Sequence, residues 1–374
     1  YHKNFAGAVE AASSTGGQLM PPVMGAAAFL MAEFVGVPYI DIVKAAVIPA
    51  LLYFTGICLG VHFEAKRNNL KGVPRSQLPK IWTILKERGH LALPLIAIVY
   101  LLVAGYSPMR AALVAIIMSI AASFVRKATR MKPIQIIQGL EKGAKGVLGV
   151  LIACAAAGII IGVVTKTGVG LKLASALIDL SGGMLFPTMF FTMITALILG
   201  MGVPTTANYV ITATIAAPAL VKLGVPVLAA HMFVFYFGII ADITPPVALA
   251  AYAGAGISGG NPLMTGVNAS KLAIAAFIIP YIFVVSPVLL MIQATPVEMV
   301  MATVTAVLGM IGLSSSMIGY LADHCNVPVR VLLFVAGLLM IVPGVMTDGI
   351  GIVIFGSILF WQMRMKKKKA AIAG

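Results

Sequence analysis

Asp242, in the run Gly238-Ile239-Ile240-Ala241-Asp242-Ile243-Thr244-Pro245-Pro246, is the residue whose type and setting point most directly to chemistry. An ionisable group inside an apolar stretch is expensive at membrane depth and marks a functional site by default. Two further interruptions place neutral oxygens beside glycines, Ser13-Ser14-Thr15-Gly16-Gly17-Gln18 and Gly200-Met201-Gly202-Val203-Pro204-Thr205-Thr206-Ala207-Asn208. Hydroxyls, together with the carbonyls freed where a helix breaks, are what a hard cation such as sodium takes as ligands. Asp242 either neutralises such a cation or caps the helix after the break, since Asp is a preferred N-cap and Pro suits a helix start. A single Ser or Thr hydroxyl is more often bonded to a nearby carbonyl or to a neighbouring helix. The clustering is what sets these three places apart.

The elements that must position them are membrane helices. Of 374 residues, 60% are hydrophobic and only 10% charged, and the mean hydropathy is +1.05. A soluble domain is closer to about half apolar. About nine or ten stretches are long and apolar enough to cross a bilayer, with shorter apolar arms between them. The 38 Gly and 21 Pro are many for helices, and broken backbone is tolerated in lipid only where protein buries it or a cavity is lined by it. The net charge of +15 sits mainly between apolar stretches and at the C-terminus, which predicts positive-inside topology and no nucleic-acid partner. Cys58, Cys154 and Cys325 are isolated, without disulfide or metal spacing, and read as small packed residues. His231 and the helically spaced Met residues read as packing, while Glu10, Glu33, Asp41 and Lys44 fall near segment ends. No HExxH, Walker A, nucleophile elbow or Cys/His set occurs, and no second deep acid pairs with Asp242. Neither an enzyme nor an ATP-driven pump is indicated, and no cofactor or transition metal is expected.

The sequence Pro-Pro-Val-x-x-Ala-Ala occurs at Pro21 to Ala27 and again at Pro245 to Ala251, and the chain has no other Pro-Pro pair. The copies are 245 − 21 = 224 residues apart. A further match, Pro49 with Pro280, lies 28 residues after Pro21 and 35 after Pro245. The seven extra residues are expected in the Gly/Ser/Asn/Pro-rich turn from Ile257 to Pro262. The span ending near Val61 runs into seven Lys or Arg between Lys66 and Arg88, whereas the span ending near Ile292 runs into Gln293 to Glu298, which has none. The positive-inside rule then predicts that the copies are inverted, the arrangement used for alternating access. Asp242 corresponds to Gln18, so the copies are chemically unequal. Tyr1 corresponds to Val225, so the counterpart of Gly200 to Gly224 is expected upstream of residue 1.

Five regions follow. Residues 1–64 are the second part of repeat A. Residues 65–145 hold basic cytoplasmic loops, an amphipathic interfacial helix from Leu78 to Arg88 with Trp82 on its apolar side, and a scaffold hairpin. Residues 146–199 are linking helices, with a span from Val147 to Val164, and residues 200–292 are repeat B, ending in a span from Leu272 to Ile292. Residues 293–374 add about three more spans and the basic run Lys366 to Lys369.

At Ser13 to Pro22, Gly200 to Tyr209 and Asp242 to Val247 the chain resembles the large permease of tripartite ATP-independent periplasmic (TRAP) transporters, in particular the fused type that works with a TAXI-type receptor. The likeness spans roughly Tyr1 to Ile292, and the tail is similar to the C-terminal extension of fused permeases. The resemblance implies an all-α polytopic protein of the bacterial or archaeal cytoplasmic membrane, an inverted-repeat elevator with re-entrant or broken helices. It implies sodium-coupled import of organic acids delivered by a periplasmic solute-binding protein, alongside a small membrane subunit or its fused equivalent, within membrane lipid. Ser13, Ser14 and Gly16 would line one sodium site, and Thr205 and Thr206 with Asp242 or Thr244 another. Asn208, with Gln18 and Gly202, would face the solute. The alternatives are a receptor-independent anion/sodium symporter of the elevator type and a non-transporting membrane assembly subunit.

Overall fold

A computed structural model describes residues 1–74, 77–127 and 129–373, with side chains at all of these except 149, 150, 153, 154, 165 and 367–373. Arg75 and the side chains of Cys154 and Lys367 to Lys369 thus lie outside the described residues. The regular structure of the described residues is helical, mostly α with short 3-10 turns, apart from one isolated bridge between Tyr320 and His324, an all-α polytopic membrane protein.

Helix α1 (Lys3–Gly16) leads through the first break into α2 (Ala26–Val35), and α3 (Tyr39–Arg67) follows after a three-residue turn. A short α4 (Ile81–Arg88) continues through a 3-10 turn into α5 (Leu93–Val103), which forms a hairpin with α6 (Pro108–Ser123). Then come the long α7 (Pro133–Thr167), α8 (Val169–Leu180) and α9 (Leu185–Leu199). After the second break lie α10 (Thr205–Ile215), α11 (Ala217–Lys222) and α12 (Val227–Ile240). A 3-10 turn and the third break precede α13 (Leu249–Ser258), α14 (Pro262–Leu272) and α15 (Ile274–Val285). The C-terminal unit is α16 (Pro296–Ile318), α17 (Val327–Ile341) and α18 (Val345–Ala373).

Among the described residues, fewer helices are long and apolar enough to span than the hydropathy alone predicts. Among the described residues, Tyr39–Arg67, Pro296–Ile318 and Val345–Lys366 are long and apolar enough to cross a membrane. Two bent pairs, Ala155–Val164 with Val169–Leu180 and Pro262–Leu272 with Ile274–Val285, raise that to five. The other apolar stretches are cut by Gly and Pro into helices of 10–17 residues. The span expected from Leu272 to Ile292 is one of those cut: it bends by 41° beside Ala273 and ends in the 3-10 turn Pro287–Leu290. The span expected from Val147 to Val164 is instead the second half of α7, whose 35 residues take Lys142 and Lys145 into the helix. Cys58 is exposed on the outer face of α3 instead of packed, and the amphipathic helix begins only at Ile81, with Trp82 77% exposed.

The two Pro-Pro copies have matching backbones. α1 and α12 occupy the same register, since Lys3 + 224 = 227 and Gly16 + 224 = 240. Both Pro-Pro bonds are cis, and three residues after the first Pro stands a non-glycine residue with positive φ, Met24 at 52° and Ala248 at 41°. The turns after α2 and α13 are also the same length, each opening on a left-handed glycine, Gly36 or Gly259. The extra residues before Pro280 therefore fall in α14 and at its bend, not in the turn from Ile257 to Pro262. Helix there lengthens the arm while keeping the backbone bonded, which a longer loop at membrane depth would not do.

The copies interleave. α1 packs on α13 and α14, while α2 packs on α10 and α12. α12 forms the centre, with every residue from Ala229 to Ile240 buried, as expected of a helix apolar on all sides. The α1–α13 approach depends on Gly7 and Gly254, because a Cβ on Gly7 would come within 2.8 Å of the Gly254 carbonyl oxygen. Lipid supplies no hydrophobic drive between helices, so such small-residue contacts carry association. Gly254→Val should lower stability by about 1–3 kcal/mol through overpacking. Gly256→Val, where a Cβ would meet nothing within 4 Å, should leave the melting temperature in detergent unchanged.

Candidate functional site

The interleaving brings the breaks together. At the end of α1 the ladder tightens, with the N–H groups of Gly17, Gln18 and Leu19 bonding to Ser14, Thr15 and Gly16 carbonyls. Gln18 then folds back beside Gly25, whose N–H donates to the Gln18 carbonyl at 2.8 Å. Its side-chain oxygen accepts a 2.7 Å bond from the Thr205 hydroxyl, at the first residue of α10. This bond joins the two copies across 187 positions of sequence.

One turn further along α10, Asn208 is fully buried and donates from Nδ2 to the Gly238 carbonyl of α12 at 3.2 Å. Its Oδ1 is buried without a hydrogen-bond partner. A leftover acceptor of this kind costs roughly 1–3 kcal/mol, so Asn208 is a group with binding capacity to spare. Gly200, at the second break, packs against it: a Cβ there would meet Ala241 Cβ at 2.7 Å and run into the Asn208 amide. The second and third breaks are thus pressed together through Gly200, Asn208 and Ala241.

Asp242 lies half-buried in the 3-10 turn Ala241–Ile243. It caps no helix. The N-cap of α13 is Ala248, six residues on, with no side-chain cap bond, so the capping alternative falls away. No hydrogen bond or ion pair to its carboxylate is present among the described residues. Thr244, two residues later, turns its hydroxyl hydrogen back to the Ile240 carbonyl at 2.8 Å. Thr206 is buried in the first turn of α10, where its hydroxyl makes no bond within the described chain.

The other expected ligands are placed differently. Ser14 is exposed and donates to Glu10 Oε1 at 3.0 Å. Ser13 is half-buried, and Gly16 packs beneath the rings of Tyr53 and Phe54 on α3. Tyr53 donates to the Ala12 carbonyl at 2.7 Å and holds α1 to α3. No bond links Ser13, Ser14 or Gly16 with Thr205, Thr206 or Asp242. Gly202, with φ of 73°, is exposed and has open space where a Cβ would stand. No cluster of three or more His, Cys, Asp and Glu that could hold a metal occurs among the described residues.

One polar pair was missed because its His reads as packing. The Tyr209 hydroxyl and His231 Nδ1 lie 2.8 Å apart and buried, tying α10 to α12 one residue past Asn208. Phe34 of α2 meets both rings. Tyr209, directly after Asn208, was the signal available.

Residues 1–298 match the family described as the tripartite ATP-independent periplasmic transporter, DctM component. The chain belongs to the DctM family. It is accordingly a permease component of a TRAP transporter, a family of transporters and not of enzymes, and a multi-pass membrane protein. All three breaks lie within the DctM match, while α17 and α18 lie wholly beyond it. No match was found among curated proteins.

The bond between the DctM copies can be measured by a double-mutant cycle. Gln18→Ala and Thr205→Ala should show a coupling of about 0.5–1.5 kcal/mol in unfolding free energy. A coupling of zero would mean that the two side chains act independently.

Proposed function

We propose that this DctM chain is the membrane core of a sodium-driven importer of organic acids, and that its two copies are inverted repeats of an elevator-type transporter. The observation that carries the reading is the meeting of three helix breaks around a half-buried, uncapped carboxylate and a buried amide with a spare acceptor. Asp242 is the anionic ligand, and Thr205, Thr206 and Thr244 with the carbonyls of the breaks are the neutral ones. A coupling cation needs such an oxygen set, and its charge offsets the cost of an acid at membrane depth. Ser13, Ser14 and Gly16, at the C-terminal end of α1, form the second cation position, where helix carbonyls face outward.

The solute carboxylate is assigned to the N-terminus of α10, because no Arg occurs in any break. The free N–H groups of a first helical turn attract anions. Asn208, Gln18 and Gly202 border that place. The Gln18–Thr205 bond would have to give way for the copies to separate around a solute. In this reading the solute arrives from a TAXI-type periplasmic solute-binding protein, in the cytoplasmic membrane of a bacterium or archaeon. A small membrane subunit, or its fused equivalent, completes the assembly.

Reconstitution in liposomes with the small membrane component tests this. Labelled organic-acid uptake is measured with and without a sodium gradient, and with and without the candidate receptor. Uptake that requires both is expected, and uptake indifferent to both would overturn the proposal. Uptake that needs sodium alone would favour a receptor-independent symporter. Asp242→Asn should abolish sodium stimulation while leaving the melting temperature within about 2 °C, since the carboxylate holds no cap or ion pair. Thr206→Ala should raise the sodium concentration for half-maximal uptake by about threefold to tenfold, the worth of one hydrogen bond or ligand contact. Loss of folded protein in both variants would return these residues to structure.

A further inference from the structure

α6 and α7 are consecutive, yet each packs mainly elsewhere, α6 on α5 and α7 on α10. Between them opens a cavity of about 490 Å³. Its walls are apolar, with Ile116 and Ile120 on α6, Met131 in the connection, and Ile136, Leu140 and Val147 on α7. From Gln135 to Val147 it runs 12 residues along α7, or about 18 Å at the helical rise, the dimension of an extended acyl chain segment.

One end of this groove is strongly basic. The connection Arg126 to Lys132 carries Arg126, Lys127, Arg130 and Lys132 and no acid. All four are exposed, and none is in an ion pair among the described residues. The described residues around the connection hold one another in place. Arg126 donates to the Lys86 carbonyl of α4, Thr129 to the Ser123 carbonyl at 3.1 Å, and the Arg130 guanidinium lies 5.9 Å from the Phe124 ring centre. α4 places Lys86, Arg88 and the exposed Trp82 beside it. Exposed Trp next to Lys and Arg is the signature of the headgroup level.

We infer that the α6–α7 groove is a binding site for one anionic phospholipid, its phosphate held by Arg126, Lys127, Arg130 and Lys132 and an acyl chain laid along Ile120, Ile136 and Leu140. Charge complementarity selects this occupant. A transmembrane helix could fill the apolar groove but would leave the four cations unmatched, and a zwitterionic lipid would match them less well than one with a net negative head. Basic pockets between membrane helices recognise acidic headgroups on this principle. The site does not depend on the transport reading.

Two variants separate headgroup from chain. Arg130→Gln with Lys132→Gln removes charge from an exposed connection. Gly139→Leu with Gly143→Leu fills the groove, and a Cβ at either glycine meets nothing within 4 Å, so the helix gains a better former and no clash. The full chain, purified in mild detergent from membranes, is exchanged into nanodiscs of equal phosphatidylglycerol and phosphatidylcholine. It is then re-extracted, and retained lipids are counted by native mass spectrometry. The wild type is expected to keep one phosphatidylglycerol in preference to phosphatidylcholine. The charge variant should lose that preference by about fivefold per cation removed, and the groove variant should lose retention of the lipid with its melting temperature in detergent unchanged. Equal retention of both lipids by the wild type, or unaltered phosphatidylglycerol retention in either variant, would overturn the site. If the groove variant instead loses co-purification of a small membrane component while keeping its lipid, the groove belongs to a protein helix and the inference fails.

Discussion

Backbone that leaves the helical ladder inside a bilayer must find its hydrogen bonds within the protein, and the three breaks of this chain make that requirement acute. Their accounts are settled by side chains from elsewhere. Tyr39 donates to the Pro22 carbonyl at 2.7 Å and Tyr252 to that of Pro246 at 3.0 Å. Ser270 reaches the Ile243 carbonyl, Tyr53 that of Ala12, and Asn208 that of Gly238. All but the Tyr252 bond demand that another helix stand close by. The wrapping of α12 and the packing of α1 on α13 through paired glycines therefore follow from where the ladder is broken.

The same requirement occupies polar side chains around the breaks. Polar side chains near the breaks are drawn into repairing backbone, as with Thr244 on Ile240. Among the described residues, the groups near the breaks that stay unbonded include the Asp242 carboxylate, the Thr206 hydroxyl and Asn208 Oδ1. If these groups form the proposed site, it is held by the same packing that supports the breaks, so its geometry and the fold's stability are not independent.

Much of this was legible in the residues. The repeat could be read from two Pro-Pro pairs because proline interrupts helix through local covalent chemistry, and α1 and α12 fall in the same register to the residue. The breaks at Ser13–Gln18, Gly200–Asn208 and Asp242–Pro246 were visible for the same reason. The number of spans was not, because hydropathy averages over a window and treats a bend such as that at Ala273 as continuous. Whether Asp242 caps a helix was not legible, since that depends on where α13 begins, a matter of backbone three-dimensional course. The Tyr209–His231 pair was hidden because a histidine's partner lies on another helix, and one sequence holds no record of which faces meet.

Beyond residue 298 the C-terminal unit is fastened to α3 at two heights. Ser314 donates to the Gly56 carbonyl in the middle of α3, and Arg67, at its end, donates to the Ile318 carbonyl. Within the unit, Gly309 and Gly337 let α16 and α17 touch backbone to backbone. A helix pinned at two levels can neither tilt nor slide against its partner, so α3 and the appended helices form a single strut. Were α3 to shift through the bilayer, as the proposed elevator motion would require, that strut would have to pass through lipid with it, enlarging the hydrocarbon surface rearranged and coupling the motion to the thickness of the host membrane.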